Sequence, residues 1–282
     1  MKETQLLDET LEILGKHGAS EAYAYILNNK GQLESGQIYN FLYCLAGMNG
    51  EKDAALAWLR EAVVDKGYWY RPTVLEDDDL ALIRDEAAFL ECKQISDGRY
   101  YEALKTAATL CTWGEIKGGK LALVLHGNQQ NIHSDEGYWK FLGSEGYQVE
   151  YVQSKIIDSH GLFRWEDDGE TQLDGVVVAL PWDAYESRIL CGFSAGCNEI
   201  LKTLLSTNVK CEQIILHSPW IPIIDDNLDD LLAALDGVNI KIICGENDGD
   251  CLPHAKKFAE AATKRGLNCK LDIMAGLGHS YF

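Results

Sequence analysis

The chain has 282 residues and a formal charge of -19, which repels phosphate backbones and anionic lipid and so argues against nucleic acid or a membrane surface as partner. Hydrophobic residues make up 46% of it, yet no apolar run approaches the roughly 18 residues of a membrane span, and Met1 to Gln5 lead into an acidic amphipathic pattern rather than a secretory leader. Nine cysteines, an odd number without a C-x-x-C, read as reduced thiols and predict a cytoplasmic protein.

From Thr4 to about Asp97 apolar residues recur at helical spacing. Leu7, Leu11 and Leu14 mark a first helix ending near Gly15 or Gly18, and Ala22, Tyr25 and Ile26 a second. A shift of 32 residues lays Ile13-Leu14, Gly18, Glu21-Ala22 and Ile26-Leu27 over Leu45-Ala46, Gly50, Asp53-Ala54 and Trp58-Leu59. This period resembles tetratricopeptide repeats, helix pairs that stack through small residues. The stretch from Gly67 to Phe89 reads as a capping segment, with a helix whose acidic first turn begins at Leu75-Glu76-Asp77. Gly114, Gly118 and Gly119 mark the join, so the predicted division is an all-α domain over residues 1–113 and a second domain over 114–282.

The second domain alternates strands and helices. Leu121 to Leu125 is a continuous apolar run that ends at His126-Gly127-Asn128. Further strands are predicted over Tyr147 to Val152, Arg188 to Cys191, Gln213 to Leu216, Ile240 to Cys244 and Cys269 to Met274. Between them run helical patterns from Glu136 to Glu145, after Cys197 and from Pro253 to Gly266. Gly175 to Leu180 fits either a strand or a helix; topology favours the helix, because a parallel strand leading to Cys191 needs a crossover. The alternation predicts an α/β fold, a parallel sheet flanked by helices.

Where the strand at Cys191 gives way to a helix pattern stands Gly192-Phe193-Ser194-Ala195-Gly196, a G-x-S-x-G at a strand-to-helix turn. Together with Leu125-His126-Gly127, Gly245-Glu246-Asn247-Asp248 and Gly278-His279, it resembles the α/β-hydrolase superfamily, in particular its small carboxylesterase, phospholipase and dienelactone-hydrolase-like members. The resemblance covers Lys120 to Phe282 and follows that family's order of Ser, Asp and His. It implies Ser194 as nucleophile, His279 as general base and Asp248, with Asp250 as the competing choice, as the acid that orients the base. It also implies an oxyanion hole of backbone N–H groups from Ala195 and Asn128, with Gln129 as the alternative to Asn128. Trp220 lines either a substrate pocket or the core, and His126 and His217 read as residues that shape the site. No pair of histidines has metal-ligand spacing, so neither a metal nor an organic cofactor is expected.

The expected activity is therefore a serine esterase acting on a small carboxylic ester or thioester through an acyl-enzyme. A second reading makes the chain a non-catalytic adaptor, with a protein partner bound by the repeat-like helices and the hydrolase fold a vestigial scaffold.

Overall fold

The computed structural model describes residues 3–134, 136–165 and 170–281. They divide into two compact units, one running up to Ala107 and including Ile157–His160, the other made of Ala108–Ile156 and the described residues from Gly161 onward.

In the first unit α1 (Glu3–His17), α2 (Ala19–Asn29), α3 (Gly36–Met48) and α4 (Lys52–Arg60) form two successive helical hairpins, and α5 (Ala87–Leu104) follows. Ser35 caps α3 by accepting the Ile38 N–H at 3.2 Å, which satisfies one of the donors a helix start leaves open. Ala22, Ala46 and Ala55 are fully buried among Leu6, Ile26, Leu42 and Leu59. The acidic stretch departs from expectation. Instead of opening a long helix it forms 3-10 turns at Pro72–Glu76 and Asp78–Leu80, because the Asp77 carboxylate takes the Asp79 N–H at 3.0 Å and so competes with α-helical bonding. The segment Ile157–His160 belongs to this unit through buried Asp158, which accepts from Arg71 Nε at 2.8 Å, and through a bridge between Ser159 and Tyr70.

In the second unit β1 (Leu110–Cys111), β2 (Lys120–Leu125), β3 (Gln148–Gln153), β6 (Ser187–Phe193), β7 (Gln213–His217), β8 (Asn239–Gly245) and β9 (Cys269–Met274) form one sheet in the order β1-β3-β2-β6-β7-β8-β9. The short strands β4 (Ile156–Ser159) and β5 (Leu162–Arg164) lie outside it. All neighbours in the seven-stranded sheet run parallel except β1, which pairs antiparallel with β3, Leu110 opposite Gln153. That pairing draws the second unit's start back to Ala108, ahead of the glycines at 114–119.

Leu121, Leu123 and Leu125 point to one face of the sheet, where they meet α7 (Leu173–Ala179), α8 (Ala195–Ser206), α9 (Ile224–Ala234) and α10 (Leu252–Arg265). Ala122 and Val124 point to the other, beneath Trp139 and Leu142 of α6 (Glu136–Ser144). On that second face β8 and β9 carry Lys241, Lys270 and Asp272, and Lys270 pairs with Asp272 at 2.8 Å. Charged side chains keep this stretch of sheet compatible with water. The segment before Pro181 is the helix α7, as the crossover argument requires, and Leu180 turns extended because a residue preceding proline avoids the helical region. Among the described residues no helix is long and apolar enough to cross a membrane, and all nine cysteines are free thiols.

Glu199 of α8 is 1% exposed, and one of its oxygens accepts the N–H groups of Gln172 and Leu173 at the start of α7 and the Thr171 hydroxyl. Lys202 balances its charge at 3.5 Å. Glu199→Ala leaves these donors and the lysine without their acceptor, and should lower unfolding stability by about 2–4 kcal/mol. In urea the midpoint should fall while the m-value stays unchanged; an unchanged midpoint would contradict the capping role.

Candidate active site

Ser194 sits between β6 and α8 with φ 50° and ψ -122°, a backbone conformation that residues with a Cβ seldom adopt. Three hydrogen bonds hold it there: its N–H donates to His217 O at 3.0 Å, and its carbonyl accepts from Cys197 at 3.0 Å and from Trp220 at 3.3 Å. A Cβ on Gly196 would lie 2.5 Å from His126 O and 2.7 Å from Leu125 O, so only glycine lets α8 start directly against the end of β2. Ala195 is the first residue of α8, and its N–H therefore has no acceptor within the helix.

His279 Nε2 lies 3.1 Å from Ser194 Oγ, and its Nδ1 lies 2.9 Å from Asp248 Oδ2. In the neutral ring one nitrogen donates and the other accepts. With an ionised Asp248 the proton belongs on Nδ1, which leaves Nε2 to accept from the serine hydroxyl. Asp248, on the loop after β8, is 2% exposed, and its other oxygen accepts the Cys251 N–H at 3.1 Å. Burial opposes its ionisation, but the His279 hydrogen bond and charge, joined by the Cys251 N–H, win and hold the carboxyl below its ordinary range. Asp250, the competing residue in the sequence, is exposed, and the imidazole bonds to Asp248. A Cβ on Gly245 would meet the carbonyl oxygens of Leu277 and Gly278 at 2.4 Å, so this glycine allows the loop carrying His279 to cross the end of β8 in contact with it.

Aromatic rings seat that loop. Phe193, the residue before Ser194, has its ring centroid 4.9 Å from that of His279 and 4.1 Å from that of Tyr281. Tyr281 also packs on Tyr138 at 4.8 Å and His217 at 5.1 Å. Burial pushes the His217 imidazole down to about 3, so it stays neutral beneath the rings.

The turn after β2 is held by its own side chains and by the residue after β5. Gln130 Oε1 accepts the Gly127 N–H at 2.8 Å, and Gln129 has φ 57°. Asn128 Oδ1 accepts the Trp165 N–H at 2.8 Å, while the Trp165 indole donates to His126 O at 2.7 Å. His126 Nδ1 donates to Gly127 O at 2.6 Å and Nε2 accepts the Ser154 N–H at 3.2 Å, a pair of bonds that only the neutral ring makes. Burial accordingly pushes this imidazole down to about 4.

A cleft of about 260 Å³ is lined by Ser194, Trp220, Asp250, Cys251 and His279. Trp220, which the sequence left between pocket and core, both lines this cleft and packs against the core. Asp248, Cys251 and His279 also bring one donor atom each within 4.8 Å of the others. Histidine spacing does not reveal that set, because its members come from two loops at the sheet's end. Trp165, Tyr281 and Cys251 lie in no motif and on no periodic face.

The family description that matches is the N-terminal domain of A/B hydrolase-like proteins, over residues 2–104, the region whose period resembles tetratricopeptide repeats. Among solved structures, an uncharacterized protein from Bacillus cereus ATCC 10987 is 31% identical, with 100% of this chain and 94% of that one covered at a TM-score of 0.55. Esterase PE8 is 18% identical over 58% of this chain and 86% of its own, TM-score 0.46. Acyl-protein thioesterase 2 of Zea mays is 14% identical over 62% of this chain and 93% of its own, TM-score 0.44. No curated protein matches the sequence.

The neutral, buried His126 makes stability depend on pH. An unfolded histidine takes a proton below about pH 6.5, whereas the folded one refuses it until about 4. The unfolded state therefore binds more protons in that window, and stability falls as pH drops through it, by up to about 1.4 kcal/mol per pH unit per such histidine. Urea midpoints between pH 7 and pH 5 should decline less steeply in His126→Gln than in the wild type; parallel declines would exclude His126 as a source.

Proposed function

The chain belongs to the α/β-hydrolase family, and from that premise we propose that it is a serine hydrolase cleaving a small carboxylic ester or thioester through an acyl-enzyme intermediate. The observation that carries this reading is the line of hydrogen bonds from Asp248 through His279 to Ser194, 2.9 and 3.1 Å long, set at a strand-to-helix elbow.

Ser194 is the nucleophile. As its Oγ adds to the substrate carbonyl carbon, His279 Nε2 takes the hydroxyl proton, and the ionised Asp248 stabilises the resulting imidazolium and keeps the ring oriented. Negative charge gathers on the former carbonyl oxygen, where the N–H groups of Ala195 and of Asn128 receive it. The position of Ala195 at the start of α8 adds to that stabilisation, since the N-terminal end of a helix favours an anion. Collapse of the tetrahedral intermediate expels an alkoxide or thiolate, which takes the proton from Nε2. Water then attacks the acyl-enzyme with His279 again as base, and the carboxylate leaves. The cleft of about 260 Å³ beside Ser194 supports a small substrate, with Trp220 supplying an apolar wall.

A fluorophosphonate should label the wild-type protein at Ser194 and fail to label Ser194→Ala; label that persists in the variant would overturn the assignment. Steady-state hydrolysis of short p-nitrophenyl esters separates the two aspartates. Asp248→Asn should lower kcat by on the order of 10³–10⁴ by allowing the wrong imidazole tautomer, while Asp250→Asn should keep kcat near the wild-type value. The reverse outcome would move the orienting role to Asp250.

A further inference from the structure

Cys251 takes no part in the proposed reaction, yet it is among the residues that line the cleft beside Ser194, and its Sγ, in a residue 1% exposed, lies 3.5 Å from His279 Nδ1. Beside it the same Nδ1 meets Asp248 Oδ2 at 2.9 Å, and the three donor atoms lie within 4.8 Å of one another. An imidazole nitrogen, a thiolate and a carboxylate are the donors that zinc takes, with bonds of about 2.0–2.3 Å and hence ligand atoms roughly 3.3–3.6 Å apart in a tetrahedron. The nitrogen–sulfur separation already has that value, and the nitrogen–oxygen pair needs to open by a few tenths of an ångström. With one oxygen among three donors, the set suits neither Ca²⁺ nor Mg²⁺.

We infer that Asp248, Cys251 and His279 form a Zn²⁺ site, with the fourth coordination position open to the cleft, and that occupancy switches the hydrolase off. Zinc displaces the thiol proton to solvent, so the ion's two positive charges meet one thiolate and one carboxylate and the buried cluster is neutral. His279 stays neutral too, but its proton must move. Nδ1 becomes a zinc ligand, the proton passes through solvent to Nε2, and an Nε2 that carries hydrogen cannot take the proton of Ser194. Each ion bound thus releases one proton net. Access favours a cation: Asp250 is an exposed carboxylate on the cleft, no lysine or arginine lines it among the described residues, and the chain's formal charge is -19. The inhibitory half of this inference rests on the hydrolase reading; the metal-binding half does not.

Cobalt(II) separates the two halves. The full-length protein, stripped with a chelator, should develop a thiolate-to-cobalt charge-transfer band and intense tetrahedral d–d bands on titration with Co²⁺, and Zn²⁺ should bleach them. The charge-transfer band should be absent in Cys251→Ala and retained in Cys244→Ala, and in His279→Gln the cobalt affinity should fall at least about tenfold. In the wild type Zn²⁺ should slow fluorophosphonate labelling at least about tenfold, with recovery on adding chelator; in Cys251→Ala the rates with and without zinc should agree. No cobalt band in the wild type, or an undiminished one in both Cys251→Ala and His279→Gln, would overturn the site. Cobalt bands with labelling indifferent to zinc would overturn the switch alone. No labelling of the metal-free wild type would overturn the hydrolase reading, and the switch with it, while the cobalt spectrum still decides the site.

Discussion

The start of α8 rests against the end of β2, backbone on backbone, and the rest of the site follows from that contact. With Gly196 this close to the carbonyls of Leu125 and His126, the chain has no room for a gradual bend between β6 and α8 and turns within Ser194 itself. A serine at φ 50° costs of order 1–3 kcal/mol, and the surrounding structure imposes it. Parallel pairing with β2 and β7 fixes the end of β6, and hydrogen bonds to His217, Cys197 and Trp220 leave the serine backbone no relaxed alternative. The conformation raises the hydroxyl above the sheet's end, where loops from other strands reach it.

Burial acts on three titratable side chains around this point with two outcomes. His126 and His217 are driven to neutrality because their surroundings offer ring faces and backbone groups and little countercharge. Asp248 is 2% exposed and keeps its charge, because an imidazole and an N–H face its oxygens. Burial opposes the charge of all three, and Asp248 has the partners that overcome it. The result is one negative charge among neutral groups, aimed along the His279 ring toward Ser194.

Much of this was legible in the sequence wherever one local rule governs a run of residues. Strand patterns, a continuous apolar run in β2 and alternating ones in β3 and β9, mark the long parallel strands to within a residue or two, and the proline at 181 together with the need for a crossover distinguishes α7 from a strand. The glycines of the elbow announce a close approach before any neighbour is known. Features set by distant partners stay hidden. The two residues of β1 are strand only because β3 lies alongside, and the acidic run from Glu76 to Asp79 forms 3-10 turns because one carboxylate captures a nearby N–H. Asp248 and Asp250 differ by two positions in the chain, and what separates them is the fold of the loop between Gly245 and Cys251. Trp165 and Tyr281 serve the site through contacts 39 and 88 residues away in sequence, with His126 and Phe193 respectively, and no periodicity encodes such pairs.

The ring of Phe193 lies against both His279 and Tyr281 and belongs to the residue that precedes Ser194. The hydroxyl and the imidazole, which stand 85 residues apart in the sequence, are thereby mounted on a common body. Oγ and Nε2 are therefore tied together twice, through the hydrogen bond between them and through a ring packed on the imidazole by the residue next to the serine. The spacing of the two atoms is set by contacts local to the pair rather than by the whole edge of the sheet.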